Sequence, residues 1–73
     1  FSAAWYNRGN VLARLSRFKE AIDCYKLALQ TDPKDAAALY NMALAYRQMG
    51  DLDAFSVYWQ MAARINPNLL RKR

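Results

Sequence analysis

Apolar and small residues recur at intervals of three and four along the whole chain, the spacing that gathers them on one face of an α-helix. Four short interruptions punctuate that pattern: Ser16-Arg17, Thr31-Asp32-Pro33, Gly50-Asp51 and Asn66-Pro67. A residue that precedes proline is pushed out of the α region, so the two proline sites act as helix stops. Gly50 suits the left-handed position that follows a helix, and Asp51 suits the cap that starts the next one. The pattern therefore predicts helices near residues 3–15, 18–31, 36–49 and 52–65, with Ser2, Asp35 and Asp51 as N-caps. Ser16 stands where the second half has Gly50. A positive φ there is expected to cost from a few tenths to about 1 kcal/mol.

The four predicted helices fall into two copies of one unit. Residues 2–35 and 36–69 align at a period of 34, with identical pairs at Ala3/Ala37, Ala4/Ala38, Tyr6/Tyr40, Asn7/Asn41, Ala28/Ala62 and Pro33/Pro67. Trp5/Leu39, Gly9/Ala43, Leu12/Tyr46 and Tyr25/Trp59 agree in kind. A fixed period of this length marks a stacked helical repeat. In the first copy Trp5, Gly9, Ala21, Tyr25 and Pro33, and in the second Leu39, Met42, Ala43, Tyr46, Trp59 and Pro67, resemble the tetratricopeptide repeat. Phe55 departs from that pattern, because it takes the small-residue place that Ala21 holds in the first copy. Either the fourth helix shifts to admit its ring, or the ring fills space that a further repeat would occupy.

The resemblance implies an all-α fold, a right-handed α-solenoid of antiparallel helix pairs. Repeat one spans 2–35, repeat two spans 36–69, and 70–73 begin a truncated further helix. A chain that opens on Phe1 and closes on Leu-Leu-Arg-Lys-Arg reads as a piece of a longer array. A core of this size rarely supplies more than about 3–5 kcal/mol, and such repeats stabilise one another by stacking. Gly9 and Ala43 are expected to be small so that the partner helix can approach. Ala21, Ala28 and Ala62 play the same part from the other side, with Tyr25 and Trp59 beside them.

The net charge of +5 changes the picture less than it first suggests. Residues 1–35 carry six basic and four acidic side chains, residues 36–69 two of each, and Arg71, Lys72 and Arg73 supply the remaining +3. That distribution disfavours nucleic acid as a partner, because much of the excess is a terminal cluster. Cys24 is the single thiol, which excludes an internal disulfide and tilts the expected compartment to the cytoplasm. The apolar runs are too short to span a membrane. The chain has no histidine, no metal-ligand cluster and no phosphate-binding glycine loop. No nucleophile has a base beside it, so no catalytic activity and no cofactor are expected. Cys24 is expected to be a packing residue.

A binding surface remains. In the family, the first helix of each repeat lines the concave side of the superhelix. The inward places carry Tyr6, Asn7, Asn10 and Arg14 in the first copy, with Ala3 and Ala13 between them. In the second they carry Tyr40, Asn41, Leu44, Arg47 and Gln48, with Ala37. Helical geometry supports the grouping: positions 3, 6, 7, 10, 13 and 14 share a face distinct from that of Trp5, Gly9 and Leu12. Asparagine offers a donor and an acceptor to a peptide backbone, tyrosine a rigid surface with a polar tip, and arginine a fork for carboxylates. The composition suits an extended, somewhat acidic peptide segment of a protein partner. Self-association through the open ends is the alternative. Some family members hold the C-terminal carboxylate of chaperone tails, and Asn10, Asn41 and Arg71 stand at three of the places they use. Tyr6, however, takes the place of their first lysine, which removes a main charge partner of such a carboxylate.

Overall fold

The computed structural model describes residues 1–68 and contains four helices: α1 (Ser2–Arg14), α2 (Phe18–Thr31), α3 (Ala36–Gln48) and α4 (Leu52–Ile65). Helices α1 and α2 form one antiparallel hairpin, α3 and α4 form a second, and α2 packs on α3 to stack the two. Helix α1 meets α3 along a narrower line, and the groove described below opens there. The expected further helix at 70–73, with Leu69 and Leu70, lies outside the described residues.

Both hairpin turns use the same device. After α1, the Ser16 N–H donates to the Ala13 carbonyl at 3.0 Å and the Arg17 N–H to the Leu12 carbonyl at 2.9 Å. After α3, Gly50 donates to Arg47 and Asp51 to Tyr46, each at 3.0 Å. This is the two-bond helix ending that requires a left-handed residue, supplied by Ser16 at φ 62° and by Gly50 at φ 85°. Leu15 and Met49 already belong to these turns, so α1 and α3 end one residue earlier than the periodicity suggests. Glycine in place of Ser16 relieves a strained backbone. The Ser16→Gly variant is expected to gain up to about 1 kcal/mol, read as a melting point several degrees higher by circular dichroism.

The two aspartate caps form as expected. Asp35 accepts from the Ala38 N–H and Asp51 from the Ala54 N–H, both at 3.1 Å. Asp32 and Asn66, each preceding a proline, have φ near the extended region and end α2 and α4. Ser2 differs from expectation. It lies inside the first turn of α1, Phe1 is the N-cap, and no side chain caps this end. From inside the helix its hydroxyl turns instead toward Asp35 Oδ2 at 3.5 Å, the outer limit of a hydrogen bond.

The core lies between the hairpins. Ala21, Ala28 and Ala62 are fully buried, and Tyr25, Leu39 and Met42 are the largest side chains sealed from solvent. Burying a side chain of the size of Leu39 or Met42 stabilises the fold by about 1.5–3 kcal/mol. Gly9 is buried directly against the Tyr25 ring: a Cβ at that position would sit 2.6 Å from Tyr25 Cε1. Cys24 is buried, as a packing residue should be. Phe55 takes neither a fully buried nor a fully exposed place. Its half-buried ring packs on Trp59 with centroids 5.2 Å apart and lies beneath the Arg47 guanidinium at 5.4 Å. The ring is thus accommodated beside Trp59 on the side of the second hairpin that carries Arg47.

Candidate functional site

A cavity of about 270 Å³ opens between α1 and α3, with α2 closing one side. Asn10, Ala13 and Arg14 come from α1, one turn apart and on one face. Asn41, Leu44, Ala45 and Gln48 repeat that spacing on α3. Phe18 and Tyr25 contribute from α2. The stacking of the two hairpins brings residues some thirty positions apart into one hollow, which neither hairpin forms alone.

Hydrogen bonds bind the polar side of this hollow together. The Tyr25 hydroxyl donates to Asn10 Oδ1 at 2.6 Å. The Asn41 side-chain amide donates to Asn10 Oδ1 at 2.9 Å and to the Tyr6 hydroxyl at 3.0 Å. The Tyr6 and Tyr25 rings lie against each other, with centroids 6.1 Å apart. Two helices of the first hairpin and one of the second are thereby locked at the same point. Such networks are worth more than isolated pairs, because every member fixes the orientation of the next.

Burial pushes the Tyr25 phenol up to about 12; Tyr6 and Cys24 add to the rise, and the nearby Asn41 amide opposes it. The folded protein therefore holds Tyr25 neutral and keeps its proton longer than the unfolded chain does. The resulting stability is full below the ordinary phenol pKa of about 10 and is lost as the pH climbs through about 12. Urea unfolding at several alkaline pH values is expected to show a fall in wild-type stability that Tyr25→Phe lacks at this site. Parallel pH profiles for the two proteins would contradict the assignment.

Five of the residues singled out from the sequence line the cavity together: Asn10, Arg14, Asn41, Leu44 and Gln48. Four do not line it. Tyr6 is half-buried behind Asn41, with only its hydroxyl reaching the network. Asn7 is exposed outside the hollow. Tyr40 packs on Trp59 with centroids 5.0 Å apart, and Arg47 lies over Phe55, so both turn toward α4. Tyr6, Asn7, Tyr40 and Asn41 thus do not gather in one hollow. Tyr25 and Phe18 belong to the site without having been assigned to it from the sequence. A buried tyrosine needs a partner for its hydroxyl, and that requirement was the available signal for Tyr25; Phe18 carried none.

Electrostatically the hollow is mildly positive. Arg14 is exposed, and the one salt bridge among the described residues joins Arg17 to Glu20 at 2.6 Å elsewhere on the surface. Among the described residues no group of histidine, cysteine, aspartate or glutamate side chains is placed to hold a metal ion. No helix among them is long and apolar enough to cross a membrane.

Comparison with known proteins agrees with the geometry. Two family models of the tetratricopeptide repeat match the chain, one over residues 2–35 and one over 24–54. The auxiliary subunit of the N-terminal acetyltransferase A complex from Arabidopsis thaliana is 33% identical over 64 residues, covering 88% of this chain and 7% of that protein. The photosystem I assembly protein of Acaryochloris marina is 36% identical over 64 residues, covering 86% of this chain and 36% of that protein. A TPR repeat-containing protein of Methanocaldococcus jannaschii is 29% identical over 63 residues, 85% of this chain and 11% of that protein. The chain therefore spans a minor part of the relatives it matches.

Proposed function

The chain belongs to the tetratricopeptide repeat family, and on that premise we propose that it is a non-catalytic module that holds an extended segment of a protein partner in the groove between α1 and α3. One observation carries this reading. Asn10 and Asn41, from different hairpins, line one cavity with Arg14 and Gln48 around it and the apolar surfaces of Phe18 and Leu44 beside them. An apolar hollow with a few convergent polar groups is the usual form of a recognition site. Two relatives, an auxiliary subunit of a complex and an assembly protein, suit a module that works by contact with other proteins. Arg14, exposed at this hollow, favours acidic residues flanking the bound stretch.

A random-sequence peptide display library panned on the protein tests the proposal. Selected peptides are expected to lose about tenfold or more in affinity for the Arg14→Glu/Gln48→Glu double variant, read by fluorescence anisotropy. Both positions are exposed, so the helical circular dichroism spectrum should not change. Undiminished affinity in a folded double variant would refute the groove as the binding site.

A further inference from the structure

Helix α4 carries an apolar stripe that the stacking of the repeats does not use. Val57, Met61 and Ile65 recur every fourth residue and are 54, 41 and 41% exposed, with half-buried Ala54 a turn before Val57. The face that attaches α4 to α3 lies beside the stripe, where Ala62 is fully buried and Tyr58 stacks on Tyr46 with centroids 5.5 Å apart. Neither neighbour in a solenoid accounts for the stripe. The first hairpin is already stacked on the second, and the stripe is exposed in its presence. A following hairpin would stack as α3 stacks on α2, and one period earlier α2 carries Glu20, Asp23, Leu27 and Thr31 at these places. With α3 packed on α2, Glu20, Asp23 and Thr31 stay exposed and Leu27 is half-buried. The first repeat thus stacks with polar residues at three of the places that α4 makes apolar or small.

We infer that this stripe pairs with its own counterpart on a second copy of the chain, α4 against α4 and antiparallel. Its pattern is self-complementary. A two-fold axis reverses the helix, so residues that meet across it share a midpoint in the sequence. Ala54 and Ile65 have theirs at 59.5, Val57 and Met61 at 59, and Asp53 and Arg64 at 58.5. That spread of one residue is about 1.5 Å of helix rise. Small Ala54 therefore faces large Ile65 of the partner subunit, Val57 faces its Met61, and Asp53 faces its Arg64 at each end of the seam. Asp53 and Arg64 are both exposed and lie on the same border of the stripe, about 20° apart around the axis. In an antiparallel pair like borders meet, so opposite charges come together; a parallel pair would set Asp53 against Asp53 and Arg64 against Arg64. A seam of one helix per copy buries less than the roughly 1,600 Å² of a standard interface, so the dimer is weak, with a Kd on the order of 0.1–1 mM. The cavity is lined from α1, α2 and α3, so this inference stands or falls apart from the groove reading.

Sedimentation equilibrium of the 73-residue protein at low ionic strength, up to about 1 mM, tests this. The average mass is expected to climb from 8.4 kDa toward twice that value and no further. Met61→Glu places a charge in the seam and should weaken association about tenfold or more. Met61 is exposed, so the circular dichroism spectrum should stay helical. The charged border tests the register. Asp53→Arg and Arg64→Asp each set like charges together and should each associate roughly fivefold more weakly than wild type. Mixed in equal amounts they restore an opposite pair at both ends of the seam, and the mixture should regain wild-type association. A strict monomer at about 1 mM would overturn the inference. A mass that grows past the dimer and ignores Met61→Glu would also overturn it, and would identify stacking through the open ends. A mixture no better than either charge variant alone would exclude the antiparallel pair.

Discussion

The Gly9→Val variant is expected to lose about 2–3 kcal/mol of stability, enough to lower its melting point by roughly 10–20 °C. The reason is a single close approach. A Cβ on residue 9 would meet Tyr25 Cε1 at 2.6 Å and Cδ1 at 2.9 Å, distances that real contacts do not tolerate. The ring cannot swing aside cheaply, because its hydroxyl is held by Asn10 and its face by Tyr6. Removing a mid-helix glycine gains about 1 kcal/mol of helix propensity for alanine and less for valine, too little to offset the clash. Circular dichroism melting reads the loss directly. A Gly9→Val/Tyr25→Leu double variant, which removes the obstructing ring, should recover part of it; a double variant no better than Gly9→Val would show that the strain arises elsewhere.

A larger effect is expected from Tyr25 itself. Tyr25→Ala empties the most voluminous sealed position of the core and should cost about 3–5 kcal/mol, comparable to the whole stability of a core this small. Tyr25→Phe keeps the ring and loses one hydrogen bond, for about 1 kcal/mol. The contrast separates the two duties of the residue. Its ring joins α1 to α2 at Gly9, while its hydroxyl fixes the amide orientation at the cavity. The phenylalanine variant should therefore fold and yet bind selected peptides less well. Equal losses in urea unfolding for the two variants would show that the hydroxyl, not the ring, carries the stability.

The architecture was largely legible in the order of residues because its signals are local. Asp35, Asp51, Gly50 and the residues before Pro33 and Pro67 each act within one turn of their own position, and helix limits follow from them. Ser2 misled because a cap depends on which residue first leaves helical geometry, and Phe1 took that place. The site was legible only in part. The family resemblance assigns Asn10, Arg14, Asn41, Leu44 and Gln48 to inward faces, and periodicity supports the grouping along the first helix, since a face is a property of one helix. It cannot tell which inward residues two helices share. Tyr40 and Arg47 leave the hollow because Trp59 and Phe55 on α4 offer them aromatic partners, and Phe55 is the very position at which the second repeat departs from the first. The Asn10–Asn41 bond joins residues 31 apart in sequence, and its existence depends on how closely α1 approaches α3.

Intermolecular nuclear Overhauser effects between the labelled protein and an unlabelled panned peptide bear most directly on the claim that this hollow is a receptor. Contacts from the peptide to the side-chain amides of Asn10 and Asn41, and to the rings of Phe18 and Tyr25, are the expected result. A bound peptide whose contacts fall only on the outer faces of α2 and α4, with those amides silent, would contradict it.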